Sequence, residues 1–88
     1  MKNYKMIYKE FFREEIESYR KKGEKTCEQM AEMLDITPRS YTDLAKGKFS
    51  PSSATMLQYL LVLTDEEILN VFHKLQGKVR ECDVDANR

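Results

Sequence analysis

The apolar positions of this chain fall into five blocks, and most of them recur at helical spacing. Ile7, Tyr8, Phe11, Phe12, Ile16 and Tyr19 sit three or four residues apart. That stripe predicts a first helix over Tyr4–Lys22, which Gly23 ends. Its aromatic content reads as core filling rather than as a ligand pocket. Met30, Ala31 and Leu34 predict a second, short helix over Cys27–Leu34, with Ala31 small where two helices must approach closely. Tyr41 and Leu44 predict a third over Pro38–Ala45, leaving Arg39, Thr42, Asp43 and Lys46 outward. Leu57, Tyr59, Leu60, Leu61, Val62 and Leu63 make the end of a fourth helix, about 53–63, apolar almost all round. A small domain rarely buries every face of one helix, so part of this surface is a candidate subunit contact. Ile68, Leu69, Val71, Phe72, Leu75 and Val79 carry a wide stripe along a fifth helix to about residue 81.

The junctions sharpen this picture. Thr26 is a good N-cap, and Gln29 follows three residues later as in a capping box. Thr37 opens the next helix with Pro38 at the first helical position, where a missing N–H costs nothing. Gly47 supplies a left-handed residue to end it. Only Asp35 and Ile36 connect the two helices, so they must meet at a sharp angle, with Ile36 plugging the space between them. This is the pattern of a helix-turn-helix, and it points toward DNA. Thr64 caps the fifth helix, with Glu67 completing a second capping box. Residues 83–88 read as a flexible polar tail. Without repeats or an internal linker, the expectation is all-α: one compact bundle of about five helices over residues 1–82.

Composition narrows the class. With 88 residues, three glycines and two prolines, the chain is one small helical domain rather than a turn-rich β protein. Such a chain buries roughly 60–65% of its unfolded surface, so its core is real but not generous. No apolar run approaches the roughly 20 residues of a membrane span. The charged start, MKNYKMIYKEFFREE, does not resemble a signal peptide, which makes a cytoplasmic protein the expectation. Cys27 and Cys82 are far apart, and His73 is the only histidine, so ordinary thiols are expected rather than a disulfide or a zinc site. No cofactor and no small-molecule ligand is expected.

The formal charge is zero, from 15 basic and 15 acidic side chains. A nucleic-acid binder usually carries a basic excess, so distribution matters more than the sum. Lys21, Lys22 and Lys25 cluster before the second helix, and Lys46 and Lys48 follow the third. Asp65, Glu66, Glu67, Glu81, Asp83 and Asp85 gather in the C-terminal third.

Taken in order, Thr26, Met30–Ala31, Leu34, Ile36, Tyr41, Leu44 and the Gly47-Lys48…Pro51 ending resemble the Cro/C1-type (lambda-repressor-like, XRE) helix-turn-helix family of bacterial and phage regulators. The resemblance covers roughly residues 5–75. It implies that the third helix enters the major groove, with base contacts from Pro38, Arg39, Thr42 and Asp43. Arg39 matches guanine O6 and N7 best. Thr42 would meet a thymine methyl or donate a hydrogen bond. Asp43 would either accept from cytosine N4 or pair with Arg39 one turn earlier and orient it. Thr26, Ser40, Lys46 and Lys48 match phosphate-contacting positions. The family usually has glutamine at Cys27, glycine at Asp35, and at Ala45 a glutamate paired with an arginine of the first helix. That pair is not available here, which leaves Arg20 free for solvent or phosphate. The Gly23–Thr26 spacing is one residue longer than the family's.

The expected function is therefore a sequence-specific double-stranded DNA-binding transcriptional regulator, a homodimer joined through the fourth and fifth helices. The alternative is a protein-interaction module on the same fold, antitoxin-like or an adaptor, which the neutral charge, Cys27 and the acidic C-terminal segment favour. No motif places a nucleophile or carboxylate pair beside His73, so an enzyme is not expected.

Overall fold

The computed structural model describes residues 4–86, with side chains through residue 81. The chain forms α1 (Tyr4–Lys22), α2 (Cys27–Leu34), α3 (Pro38–Ala45), α4 (Ser53–Val62) and α5 (Asp65–Ala86), with no strand among the described residues. The first three helices have the bounds that the apolar spacing predicts. α4 stops one residue sooner than expected, because Leu63 turns to extended backbone (φ −88°, ψ 155°). α5 continues past residue 81 to Ala86. The expected polar tail at 83–88 has its side chains outside the described residues, and at 87–88 its backbone as well.

Each helix after the first starts on a hydroxyl. Thr26 Oγ1 accepts from the Gln29 N–H, and the Gln29 side chain takes the Thr26 N–H in return. Thr64 and Glu67 repeat that reciprocal pair at the start of α5. Thr37 and Ser52 accept from the N–H groups of Ser40 and Thr55. Such a cap satisfies a donor that the helix itself leaves orphaned, and each contributes about 1 kcal/mol.

The ends of the first three helices also share one device. At each, a residue just past the last turn is left-handed: Glu24 (φ 52°), Asp35 (φ 58°, itself the cap of α2) and Gly47 (φ 81°). The next residue's N–H then reaches back to a carbonyl of the last turn, as Lys25 to Arg20, Ile36 to Ala31 and Lys48 to Asp43. These are Schellman closures, and they reverse the chain within two residues. Gly23 does precede the first reversal, but the left-handed position falls one residue later, on Glu24.

α1 lies across α3 and α5, while α2 packs on both α3 and α4. The core between them holds Phe11, Phe12 and Ile16 of α1, Met30, Ala31 and Leu34 of α2, Tyr41 of α3, Tyr59 of α4 and Val71 of α5. Ile36 packs against this cluster from the turn, as its position predicts. Tyr59 meets Phe12 and Tyr19 edge to face, with ring centroids 6.5 and 5.8 Å away. Lys74 reaches Glu15 at 3.2 Å and ties α5 to α1. Gln58 Nε2 donates to the Met33 carbonyl and ties α4 to α2. Not every apolar position goes inside: Leu57, Leu61, Leu69 and Phe72 stay exposed on α4 and α5.

Candidate nucleic-acid interface

α3 is held against the body by two buried side chains, Tyr41 and Leu44. Tyr41 has no exposed surface, so its phenol needs a partner inside the protein. It donates to Glu17 Oε1 at 2.6 Å. The same carboxylate accepts from Arg20 Nε at 3.1 Å and Nη2 at 3.0 Å, a bidentate pair. Arg20 Nη1 donates to the Lys25 carbonyl at 3.3 Å. One network thus joins α1, the 23–25 turn and the middle of α3. It corrects the expectation that Arg20 is free. Ala45 offers no carboxylate, and Glu17, one turn earlier on Arg20's own helix, supplies one.

The network sets two protonation states. The Arg20 hydrogen bonds hold the Glu17 carboxyl below its ordinary value of 4.5, Tyr41 helps, and burial opposes. Burial pushes the Tyr41 phenol up, and the bond to Glu17 adds to it. Both groups therefore keep the forms that suit the bond between them, a carboxylate and a neutral phenol.

The outward side of α3 is more committed than its sequence suggests. Pro38 and Arg39 are exposed. Among the described residues Arg39 makes no hydrogen bond or ion pair, so its guanidinium is available. Thr42 is half-buried, and its hydroxyl donates to the Pro38 carbonyl at 3.0 Å. What it offers outward is a methyl group and an oxygen lone pair. Asp43 does not orient Arg39. It lies 3.8 Å from Lys48 Nζ, because the left-handed turn at Gly47 folds Lys48 back over the end of α3.

The positions matched to phosphate contacts divide in the same way. Lys46 is exposed, and Lys48 is 64% exposed despite its contact with Asp43. Ser40 Oγ accepts from the Thr37 hydroxyl at 2.9 Å and keeps its own proton to donate. Thr26 is closed into its capping box, which leaves the N–H groups of Cys27 and Glu28 as the orphan donors of α2. Glu28 stands in that first turn, where its charge repels a phosphate.

Two features of this side were not singled out in the sequence. Glu28 and Glu32 are exposed one turn apart on the outer face of α2, and exposed Asp35 follows at the helix's C-cap, so the three make an acidic stripe along α2 and its end. That spacing was visible in the chain. Phe49 is 64% exposed in the loop after Lys48. With Met6, Lys9 and Arg13 it borders a hollow of about 240 Å³ beside the end of α3. No spacing rule reveals a loop residue of this kind.

Among the described residues no group of histidine, cysteine and acidic side chains could hold a metal ion. No described helix is long and apolar enough to cross a membrane. Cys27 is a half-buried free thiol, while the side chains of Cys82, Asp83 and Asp85 lie outside the described residues. No family model, curated protein or solved structure matches this chain.

Proposed function

We propose that this protein binds double-stranded DNA sequence-specifically, as a transcriptional regulator, with α3 in the major groove. The observation that carries the reading is Arg39: exposed, without a partner among the described residues, and near the start of a helix whose opposite side is locked by Tyr41 and Leu44. A rigidly mounted helix that presents an unpaired guanidinium suits bidentate contact with guanine. Lys46 and Lys48 at the other end of α3 suit phosphates on the flanking backbone. Pro38 and the Thr42 methyl add apolar contact, and Asp43 acts by holding Lys48. A few side chains read too little sequence alone, so two copies act together, with their α3 helices roughly 34 Å apart on a palindrome.

A second reading is favoured by a specific observation, the acidic stripe of Glu28, Glu32 and Asp35 beside α3. On that reading the same face receives a basic segment of another protein.

The test is retention of a random duplex pool at low salt, followed by sequencing. The expected result is a palindrome with half-sites about 10 base pairs apart. Arg39→Ala should then cost about 1–3 kcal/mol at one base position and relax the choice there. Lys46→Ala should weaken all duplexes about equally. A pool that keeps no sequence preference would sink the proposal.

A further inference from the structure

The cationic surface beside α3 is wider than Lys46 and Lys48. Lys9 and Arg13 lie one turn apart on α1 and are half-buried. Among the described residues neither makes a hydrogen bond or an ion pair. Arg20 shows what a half-buried guanidinium of this helix takes when it can, since it holds Glu17 with two bonds. Lys9 and Arg13 instead line the hollow of about 240 Å³ that Gly47, Phe49 and Ser50 close from the loop after α3. Partly desolvated charge without a counterion favours an anion from outside.

A neighbouring hollow extends the row. Arg13 borders this one too, with Lys21 and Lys22 of α1 and with Ala45 at the end of α3. Lys9, Arg13, Glu17 and Lys21 recur at four-residue spacing and so follow one line, about 18 Å long. The acid in that line, Glu17, is already neutralised by Arg20. Glu10 and Glu14 stand at the two hollows as well, each about 100° round the helix from a cation of the line. Phe49 is the apolar member: its ring is 64% exposed, and Met6, which borders the same hollow, is 61% exposed. A free inorganic anion would leave that ring bare. A nucleotide backbone presents both chemistries at once, phosphates and the apolar face of a deoxyribose.

We propose that one strand of the duplex continues past α3 onto α1, where Lys9 and Arg13 each take a phosphate and Phe49 packs on the deoxyribose between them. The two cations stand about 6 Å apart along α1, a spacing that successive phosphates of one strand can meet. The contact reads no base. It fixes the angle at which α3 enters the groove, from a helix outside the helix-turn-helix. This inference rests on the DNA-binding reading and adds a backbone contact to it.

The experiment reads affinity for the selected duplex by fluorescence anisotropy across a salt series. Lys9→Gln and Arg13→Gln should each weaken binding and lower the slope of log K against log salt by about 0.9, one phosphate apiece. Both should keep the base preference and the wild-type melting temperature. Phe49→Ala should weaken every duplex by the same factor at every salt, because an apolar contact releases no counterion. Glu10→Gln, which removes a carboxylate and no cation, should tighten binding. Single methylphosphonates along the duplex then locate the contact. One position should cost the wild type affinity and cost Arg13→Gln none, and it should differ from the position that Lys48→Ala ceases to feel. An unchanged slope in both cation variants, or one shared position for Arg13 and Lys48, overturns this inference and leaves the reading of α3 standing. A wild type that binds no duplex overturns both.

Discussion

The bond between Tyr41 and Glu17 shows how one residue pair can position a surface. Tyr41 sits on the inner side of α3, directly opposite the residues that face outward, and its hydroxyl has one partner, Glu17 Oε1. Any shift of α3 along α1 breaks that bond and leaves a buried phenol unsatisfied. Tyr41→Phe removes the hydroxyl and keeps the ring, so it should destabilise the fold by about 1.5–3 kcal/mol, the range for a hydrogen bond to a charged acceptor. Urea unfolding measures this, and a loss below a few tenths would mean that the bond does not hold α3. The same pair predicts a pH dependence at each end of the scale. Glu17 has a lowered value in the folded state, so its contribution is complete above 4.5, the ordinary value, and is lost as pH falls through the lower native one. Tyr41 and Tyr59 are raised, mainly by burial, so their contributions are complete below 10, the ordinary tyrosine value, and are lost as pH rises above it. Glu17→Gln should flatten the acid limb and reduce the alkaline limb without abolishing it, because burial remains the main cause of the raised phenols. Tyr41 was legible in the sequence as a buried residue of α3. Its partner was not, because Glu17 reads as one of several surface acids on α1, and only the crossing of α1 and α3 brings the two together.

The three left-handed closures supply a second kind of determinant at the level of the elements. Helix starts and ends are written in local chemistry, and α1, α2 and α3 accordingly have the bounds that Thr26, Thr37, Pro38 and Gly47 announce. Gly23 does end α1, as its sequence position announces. Glycine suggests the left-handed position as well, yet that position falls on Glu24 (φ 52°). Glu24 bears a conformational cost that glycine would not, and Gly23 gives up chain entropy at a position that does not need it. A Cβ at position 23 would meet mainly the flexible end of Lys25, at 3.3 Å. The double variant Gly23→Ala, Glu24→Gly should therefore stabilise the protein by about 1 kcal/mol and raise Tm by about 4–8 °C. Gly47→Ala should cost about 1 kcal/mol instead, through backbone strain alone, because nothing stands within 4 Å of the added carbon. Thermal melts of the three proteins check the order. If the double variant melts below the wild type, the reversal at 23–25 is not the closure described here.

At the scale of the whole molecule, the faces separate by chemistry. The bundle measures 44 × 29 × 20 Å, and α5, at about 33 Å by its length, supplies most of the long axis. The two-sided charge expected from the sequence holds only in part. Lys21, Lys22, Lys46 and Lys48 are exposed near α2 and α3, but Glu28, Glu32 and Asp35 share that side. A count along the chain cannot expose this, since which acids neighbour which lysines depends on how α2 turns its outer face. The stripe separates the two functional readings. If DNA is the ligand, these carboxylates stand near phosphates and weaken every duplex, independent of sequence. Replacing Glu28 and Glu32 by glutamine removes two such charges and should raise affinity about three- to tenfold at low salt. The gain should fade as the Debye length shrinks, and the preferred sequence should not change. If a basic protein segment is the ligand, the same substitutions remove attraction and weaken binding. Fluorescence anisotropy with the selected duplex, across a salt series, reads the sign directly. Because the glutamines leave the helical bounds and the capping box of α2 intact, a change in sign cannot be assigned to a loss of fold.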